Sequence, residues 1–440
     1  MLTTLFLFSA CATSSAPQVP SGPKVNLPPP KDSNGVVDYF FTALKIRDFE
    51  SAVGKFDVAL KGSLPVDQLT SVWDSETANL GGLMGWKIEK SASADGVDTR
   101  DVLIELDKGW LRGTLTINAQ SLEIAGLFFK AVPKRVRSGP ATYVDLNAFH
   151  AEKITIGTDP YSLKGALTLP NGTGPFPGVV LLHDAGPQNL NSTIGPNHPF
   201  RDIADGLSSR GIAVLRFNKR THQYKKALKN VTSLDEDVIL DALVAIQFLK
   251  ARPEVDPNKV FLIGHGLGGR LAPEIATKAM PIAGLVLLAP PGVHPLDSVL
   301  TQMRYLQVPA DRIAEAEKAV AQYKSGKRSA GGKVVGIPTA YWQDLESRDG
   351  VAMAKNLAKP TLILRGERDY QTTAEDLAVW KQGLADLPGV EVNTIPELNH
   401  YFMKGQGKSM PDEYETLGHV DLPVIEKIAE FISGSPAQTP

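Results

Sequence analysis

Residues 261–276 read FLIGHGLGGRLAPEIA, an apolar run followed by four closely spaced glycines and then a stretch with helical spacing. Val260 to Ile263, four apolar residues in a row bounded by Gly264, fit a strand buried on both faces. Leu271, Ala272, Ile275 and Ala276 then recur at the three-to-four interval of one helix face. Glycines at 264, 266 and 268 fit a turn in which the strand and helix backbones pass too closely for a Cβ. Gly266 stands at the centre of that turn, with no side chain to offer.

Working outward, the same rhythm repeats from about residue 150. Apolar strand runs GALTLP, GVVLLH, IAVLRF, KVFLIG, AGLVLLA, TLILRG and VEVNTI alternate with amphipathic stretches. That alternation predicts a mostly parallel sheet with helices on both faces. Ser233 and Glu236 have capping-box spacing and predict the start of a helix through Ile239, Ala242, Leu243, Ile246 and Leu249. Residues from about 292 to 350, including DRIAEAEKAVAQYKSG, interrupt the alternation with helical stretches. An insertion there predicts a cap above the active edge of the sheet, in a domain spanning 150–433.

Residues 36–132 have a different character. Phe40, Phe41, Leu44, Phe49, Val53 and Phe56 follow helical spacing, and DVLIELDKG, WLRGTLTINAQ and SLEIAGLFFKA follow as hairpin-like runs. This predicts a small α+β domain without catalytic spacing of Ser, His or carboxylates, suited to packing or binding. Before it, residues 12–35 are rich in Pro, Ser and Gly and read as a linker. Residues 1–11, MLTTLFLFSAC, are apolar over the length of a signal-peptide core and too short to span a bilayer. Phe8, Ser9, Ala10 and Cys11 resemble the lipobox of bacterial lipoproteins, which implies a lipidated Cys11, a possible membrane tether and a place in the cell envelope or outside it.

Composition narrows the function classes. The 440 residues carry 46 Lys plus Arg against 48 Asp plus Glu, a formal charge of -2, which gives no footprint for nucleic acid. A single cysteine excludes an internal disulfide, and the eight histidines show no paired zinc spacing. Neither a metal nor a cofactor is expected.

The chemistry-bearing residues follow strand ends. Asp369 follows TLILRG, and His400 follows VEVNTIPELN. A His oriented by a carboxylate is a general base. With GHGLG at 264–268, these residues resemble the constellation of the α/β-hydrolases, whose G-x-S-x-G elbow, acid and base occur in that order. The run HDAGP at 183–187 resembles the oxyanion loop H-G-x-G-P, and LRFNKRTHQY, TLILRGERDYQTT and ELNHYFM extend the likeness. From about residue 36 to 433 the chain is similar to bacterial α/β-hydrolase carboxylesterases with a small N-terminal domain of unknown function.

The resemblance implies a serine hydrolase of short acyl esters, with Asp369 and His400 as acid and base and the backbone N–H groups of Ala185 and Leu267 as oxyanion donors. Two residues depart from it. Gly266 stands at the nucleophile position, and Asp184 replaces the loop glycine. A carboxylate about 4 Å from a developing oxyanion would cost about 4 kcal/mol at an effective dielectric near 20. In the KRTHQY segment, Lys219 and Arg220 either hold the loop or steer an anionic substrate. Three readings follow: an esterase scaffold without its serine mechanism, which binds an acyl ester or related ligand as an envelope-associated pseudo-hydrolase; a hydrolase using water activated by His400 and Asp369; or a competent esterase inactivated by a single-base change. Two departures at one site weigh against the last.

Overall fold

The computed structural model describes residues 24–132, 139–228, 231–327 and 332–434, so the lipobox-like segment and residues 12–23 of the linker lie outside the described residues. The chain divides near residue 135 into two compact units. In the first, helices Ser33–Lys45, Phe49–Gly54, Val58–Ser63 and Val66–Thr77 precede a four-stranded antiparallel meander. Its strands are β1 (Leu83–Ala94), β2 (Val97–Leu106), β3 (Gly109–Asn118) and β4 (Ile124–Val132). Phe40, Phe41 and Phe56 are fully buried with Ile104, Leu111 and Leu115 from one sheet face. β3 alternates buried and half-buried positions along its length, the period of a sheet with one face on a core. Strand β1 is an addition to the sequence reading; it lies at the sheet edge and is partly exposed, so its apolar pattern is weak.

The second unit is built on an eight-stranded sheet. It comprises β5 (Phe149–Ile156), β6 (Leu163–Pro170), β7 (Phe176–Leu182), β8 (Ala213–Phe217), β9 (Val255–His265) and β10 (Gly284–Leu288), then β13 (Thr361–Gly366) and β14 (Val390–Ile395). The spatial order is β14-β13-β10-β9-β7-β8-β6-β5. The strands from β7 onward run parallel, whereas β6 pairs antiparallel with both β5 and β8. β8, β10 and β13 are buried at every position, which is why they read as continuous apolar runs.

Between β10 and β13 the chain leaves the sheet through helices Pro295–Tyr305, Ala310–Lys324, Thr339–Glu346 and Gly350–Leu357, with a two-residue ladder of β11 (Lys333–Val334) and β12 (Ile337–Pro338). The helix before β9 differs from its expected start. It enters through a π-helical turn, Asp235–Ile239, and continues as Leu240–Lys250. Ser233 Oγ accepts from the N–H of Asp235. The reciprocal capping box is formed elsewhere, by Thr373 and Asp376.

The turn after β9 has the close approach that its glycines suggest. A Cβ on Gly264 would lie 2.3 Å from the carbonyl oxygen of Gly268, and one on Gly268 would lie 2.5 Å from that of Leu182. Both obstacles are backbone atoms that cannot rotate away. Gly264→Ala is therefore expected to lower stability by at least about 1 to 3 kcal/mol, the cost of overpacking a dense interior. Urea unfolding that shows no change would contradict this close approach.

Candidate active site

Three carboxyl-terminal strand ends and one downstream loop converge on Gly266. β7 ends in the His183–Pro187 loop, β9 in the turn itself, β13 in the loop of Asp369, and β14 leads to His400. This is the edge at which open parallel sheets gather reactive groups. Gly266 has φ +52° and ψ -118°, a conformation that L side chains rarely adopt. Leu267 begins the helix Leu267–Lys278 immediately after it.

His400 and Asp369 are joined directly. His400 Nδ1 donates to Asp369 Oδ2 at 2.8 Å, and both residues are buried. Asp369 Oδ1 accepts from the N–H groups of Gln371 and Thr372 at 2.8 and 3.0 Å, so the carboxylate is fixed before it orients the imidazole.

The orientation of Asp184 decides what the site can do. Its Oδ1 accepts from the N–H of Leu267 at 2.7 Å, and its Oδ2 lies 3.3 Å from His400 Nε2. A Cβ built on Gly266 would fall 2.0 Å from Asp184 Oδ1. The carboxylate thus occupies the space where an elbow side chain would begin. It also engages Leu267 N–H, one of the two oxyanion donors that the family resemblance implies. Ala185, the other, lies beside it on the wall of the cavity.

The electrostatics follow from this arrangement. Burial alone would depress the His400 imidazolium, but Asp369 and Asp184 on its two sides outweigh burial and push its pKa up to about 10. Burial opposes ionisation of Asp184 too, yet His400 and the Leu267 N–H hold its carboxyl well below the usual range. The resting pair is therefore carboxylate and imidazolium. His265, also buried, is pushed down to about 4 by burial and by His400. It donates from Nε2 to the backbone carbonyl of His400 at 2.9 Å.

Lys219 and Arg220 sort into structural roles. Lys219 Nζ donates to the backbone carbonyl of Asp184 at 3.2 Å and to Asp237 Oδ2 at 3.1 Å, with the side chain 3% exposed. It holds the loop that carries Asp184. Arg220 forms a forked pair with Asp241 and lies over the ring of Tyr161.

Above these residues opens a cavity of about 660 Å³. Asp184, Gly266 and His400 lie on its wall, and the inserted helices contribute Val299, Tyr341 and Trp342. Ser298 and Arg270 also line it, and sequence reasoning did not single them out. Ser298 Oγ and Arg270 Nε are buried without a hydrogen-bond partner among the described residues. No local pattern marks either one, because each acquires its role only through the insertion folding back over the sheet.

Asp184, His265 and His400 could each offer one donor to a metal, and those atoms lie within 4.8 Å of one another. Zinc bonds of about 2.0–2.1 Å would draw tetrahedral ligands to roughly 3.4 Å apart. The set is looser than that, and its closest pair is already matched as an ion pair.

The profile of the alpha/beta hydrolase family matches residues 179–423, and the chain belongs to that family. It is similar to the esterase EstD of Thermotoga maritima, with 37% identity over 399 residues that cover 89% of this chain and 93% of EstD. Among solved structures, an esterase of Pyrococcus furiosus aligns at 16% identity and a TM-score of 0.42, over 67% of this chain and 94% of its own. Est1E from Butyrivibrio proteoclasticus aligns at 15% identity and a TM-score of 0.42, over 64% of this chain and 99% of its own.

A pH dependence follows from the His400 environment. Folding raises its proton affinity, so the resulting stabilisation is fully present below its ordinary pKa of 6.5 and is lost as pH rises toward about 10. The melting temperature of the wild type is expected to fall more steeply between these pH values than that of His400→Gln. Parallel slopes in thermal melts would refute the doubly flanked imidazolium.

Proposed function

We propose that this chain is a hydrolase of esterase lineage that no longer cleaves esters through a serine, and that its cavity takes a small, largely apolar molecule. The likeness to EstD and the ordered Asp369 and His400 support the lineage. The observation that carries the reading is the Asp184 carboxylate, set against both Leu267 N–H and His400 Nε2. At that place it excludes an attacking serine and occupies a donor that would stabilise an ester's tetrahedral intermediate.

The same contact bears on direct attack by water. An imidazole that already holds its proton cannot take another, so His400 is not a base for water at neutral pH while Asp184 remains charged. Turnover in this site requires that Asp184 be neutralised, displaced or consumed. A cavity of about 660 Å³ under the inserted helices favours retention of a ligand site over a purely structural role.

The test uses p-nitrophenyl butyrate. Gly266→Ser alone is expected to stay near the wild-type rate and to lose about 1 to 3 kcal/mol of stability, through its backbone conformation and the collision with Asp184. The double variant Asp184→Gly/Gly266→Ser frees Leu267 N–H and supplies a nucleophile, and should raise turnover on the order of 10³-fold or more. Full activity in Gly266→Ser alone would overturn the reading, since it would mean that Asp184 does not hold the site.

The lipobox-like run ending in Cys11 and the Pro- and Ser-rich residues 12–35 support a tethered life in the bacterial envelope. Cys11→Ser is expected to shift the protein from the membrane to the soluble fraction on cell fractionation, and an unchanged distribution would argue against the tether.

A further inference from the structure

The loss of a serine and the arrival of a carboxylate meet at one point in space. Asp184 Oδ1 lies 2.0 Å from the position of a Cβ on residue 266. That oxygen is held by Leu267 N–H at 2.7 Å, while Oδ2 faces His400 Nε2 at 3.3 Å. Asp184, Gly266 and His400 share the wall of the apolar cavity. Lys219 anchors the backbone of Asp184 from below. One carboxylate oxygen thus sits on a donor suited to an oxyanion, and the other sits beside a base.

We propose that Asp184 is the nucleophile of this site, and that its substrates are small alkyl compounds in which a saturated carbon bears an anionic leaving group such as halide. This rests on the reading of the cavity as a substrate site given above. In the first step an electron pair of Asp184 Oδ2 forms a bond to the carbon, the carbon–halogen bond breaks, and halide leaves with its pair. The product is an alkyl ester of Asp184 whose carbonyl oxygen, Oδ1, remains on Leu267 N–H. In the second step His400 Nε2 takes a proton from water as the water oxygen attacks Cγ of Asp184. Charge develops on Oδ1, where the Leu267 N–H already points. The Cγ–Oδ2 bond then breaks, the alcohol departs with a proton, and the carboxylate and the imidazolium are restored. The balance is alkyl halide plus water to alcohol, halide and one proton.

The charges supply the timing. In the resting site His400 lies between two carboxylates and keeps its proton. Alkylation converts Asp184 to a neutral ester, leaving Asp369 as the one flanking charge, and His400 releases its proton when a base is needed. The substrate class follows from leaving-group chemistry. A carboxylate attacking an ordinary ester would have to expel an alkoxide, a far stronger base than itself, and the adduct would collapse backwards. At a saturated carbon the departing halide is the weak base and the step runs forward. Ser298 Oγ and Arg270 Nε, buried on the same cavity without partners among the described residues, provide donors for the departing anion.

The test incubates the full chain with 1-bromobutane in ¹⁸O-water under single-turnover conditions. Bromide and protons should be released in equal amounts, and mass spectrometry should place one ¹⁸O in the peptide containing Asp184. His400→Gln, which can be alkylated but cannot activate water, should accumulate a butyl group on Asp184. Asp184→Asn, checked for folding by its melting curve, should release bromide on the order of 10³-fold more slowly and carry neither label. Absence of label and adduct at Asp184, or an adduct at another residue, overturns the proposal. The Asp184→Gly/Gly266→Ser variant separates the two readings. If it hydrolyses p-nitrophenyl butyrate while Asp184 of the wild-type chain takes no label, the cavity is a substrate site and only the nucleophile assignment falls. If it is also inactive, the reading of the cavity falls as well.

Discussion

The contact between the Asp184 carboxylate and the His400 imidazolium governs this site. It fixes the protonation of both groups, occupies the Leu267 N–H, and fills the space that Gly266 leaves open. A largely buried ion pair persists only when each partner is otherwise satisfied, because desolvation opposes both charges. Here Asp369 completes the imidazolium and Leu267 N–H completes the carboxylate. Every member of the group has a partner within hydrogen-bond reach.

The sheet makes that contact possible. β7 and β9 are hydrogen-bonded neighbours, and both turn at their carboxyl ends. The approach of their loops brings Asp184 to Gly266 across more than eighty positions of sequence. Gly268, pressed against the carbonyls of Leu182 and His183, sets how near the loops come. Lys219, from the segment after β8, fixes the far side of the Asp184 loop through Asp237, a residue that Thr221 and Tyr341 also contact. The inserted helices are thus tied to the site through the same buried acid that anchors its loop.

Elements were legible where burial makes a pattern one-sided or continuous. The seven apolar runs read between residues 165 and 395 all coincide with strands; six of them are largely buried and carry little polar interruption, whereas VEVNTI, the edge strand β14, shows only an alternating apolar pattern. β1 (LMGWKIEKSASA) and β5 (FHAEKITI) are mostly exposed or half-buried and their apolar residues are interrupted by Lys, Glu and other polar residues, and neither was legible. The helix before β9 was legible along its apolar face but not at its start. Ser233 and Glu236 have the spacing of a capping box, whereas the backbone there takes a π turn, and spacing alone does not specify backbone hydrogen bonding.

The sequence by itself determined the class of fold, the order of Gly266, Asp369 and His400 along it, and the absence of a serine at the turn, since each depends on residue identity and local spacing. It also displayed Asp184 and Gly266 as two separate departures. Only the tertiary structure decided that they are one feature, with the carboxylate of one filling the space left by the other. It alone determined the direction of Asp184, the proton held by His400, and the burial in the cavity of Arg270 Nε and Ser298 Oγ, neither of which has a hydrogen-bond partner among the described residues. The physical reason is that direction, proton affinity and desolvation are set by atoms brought near through the fold, and no spacing along the chain encodes them.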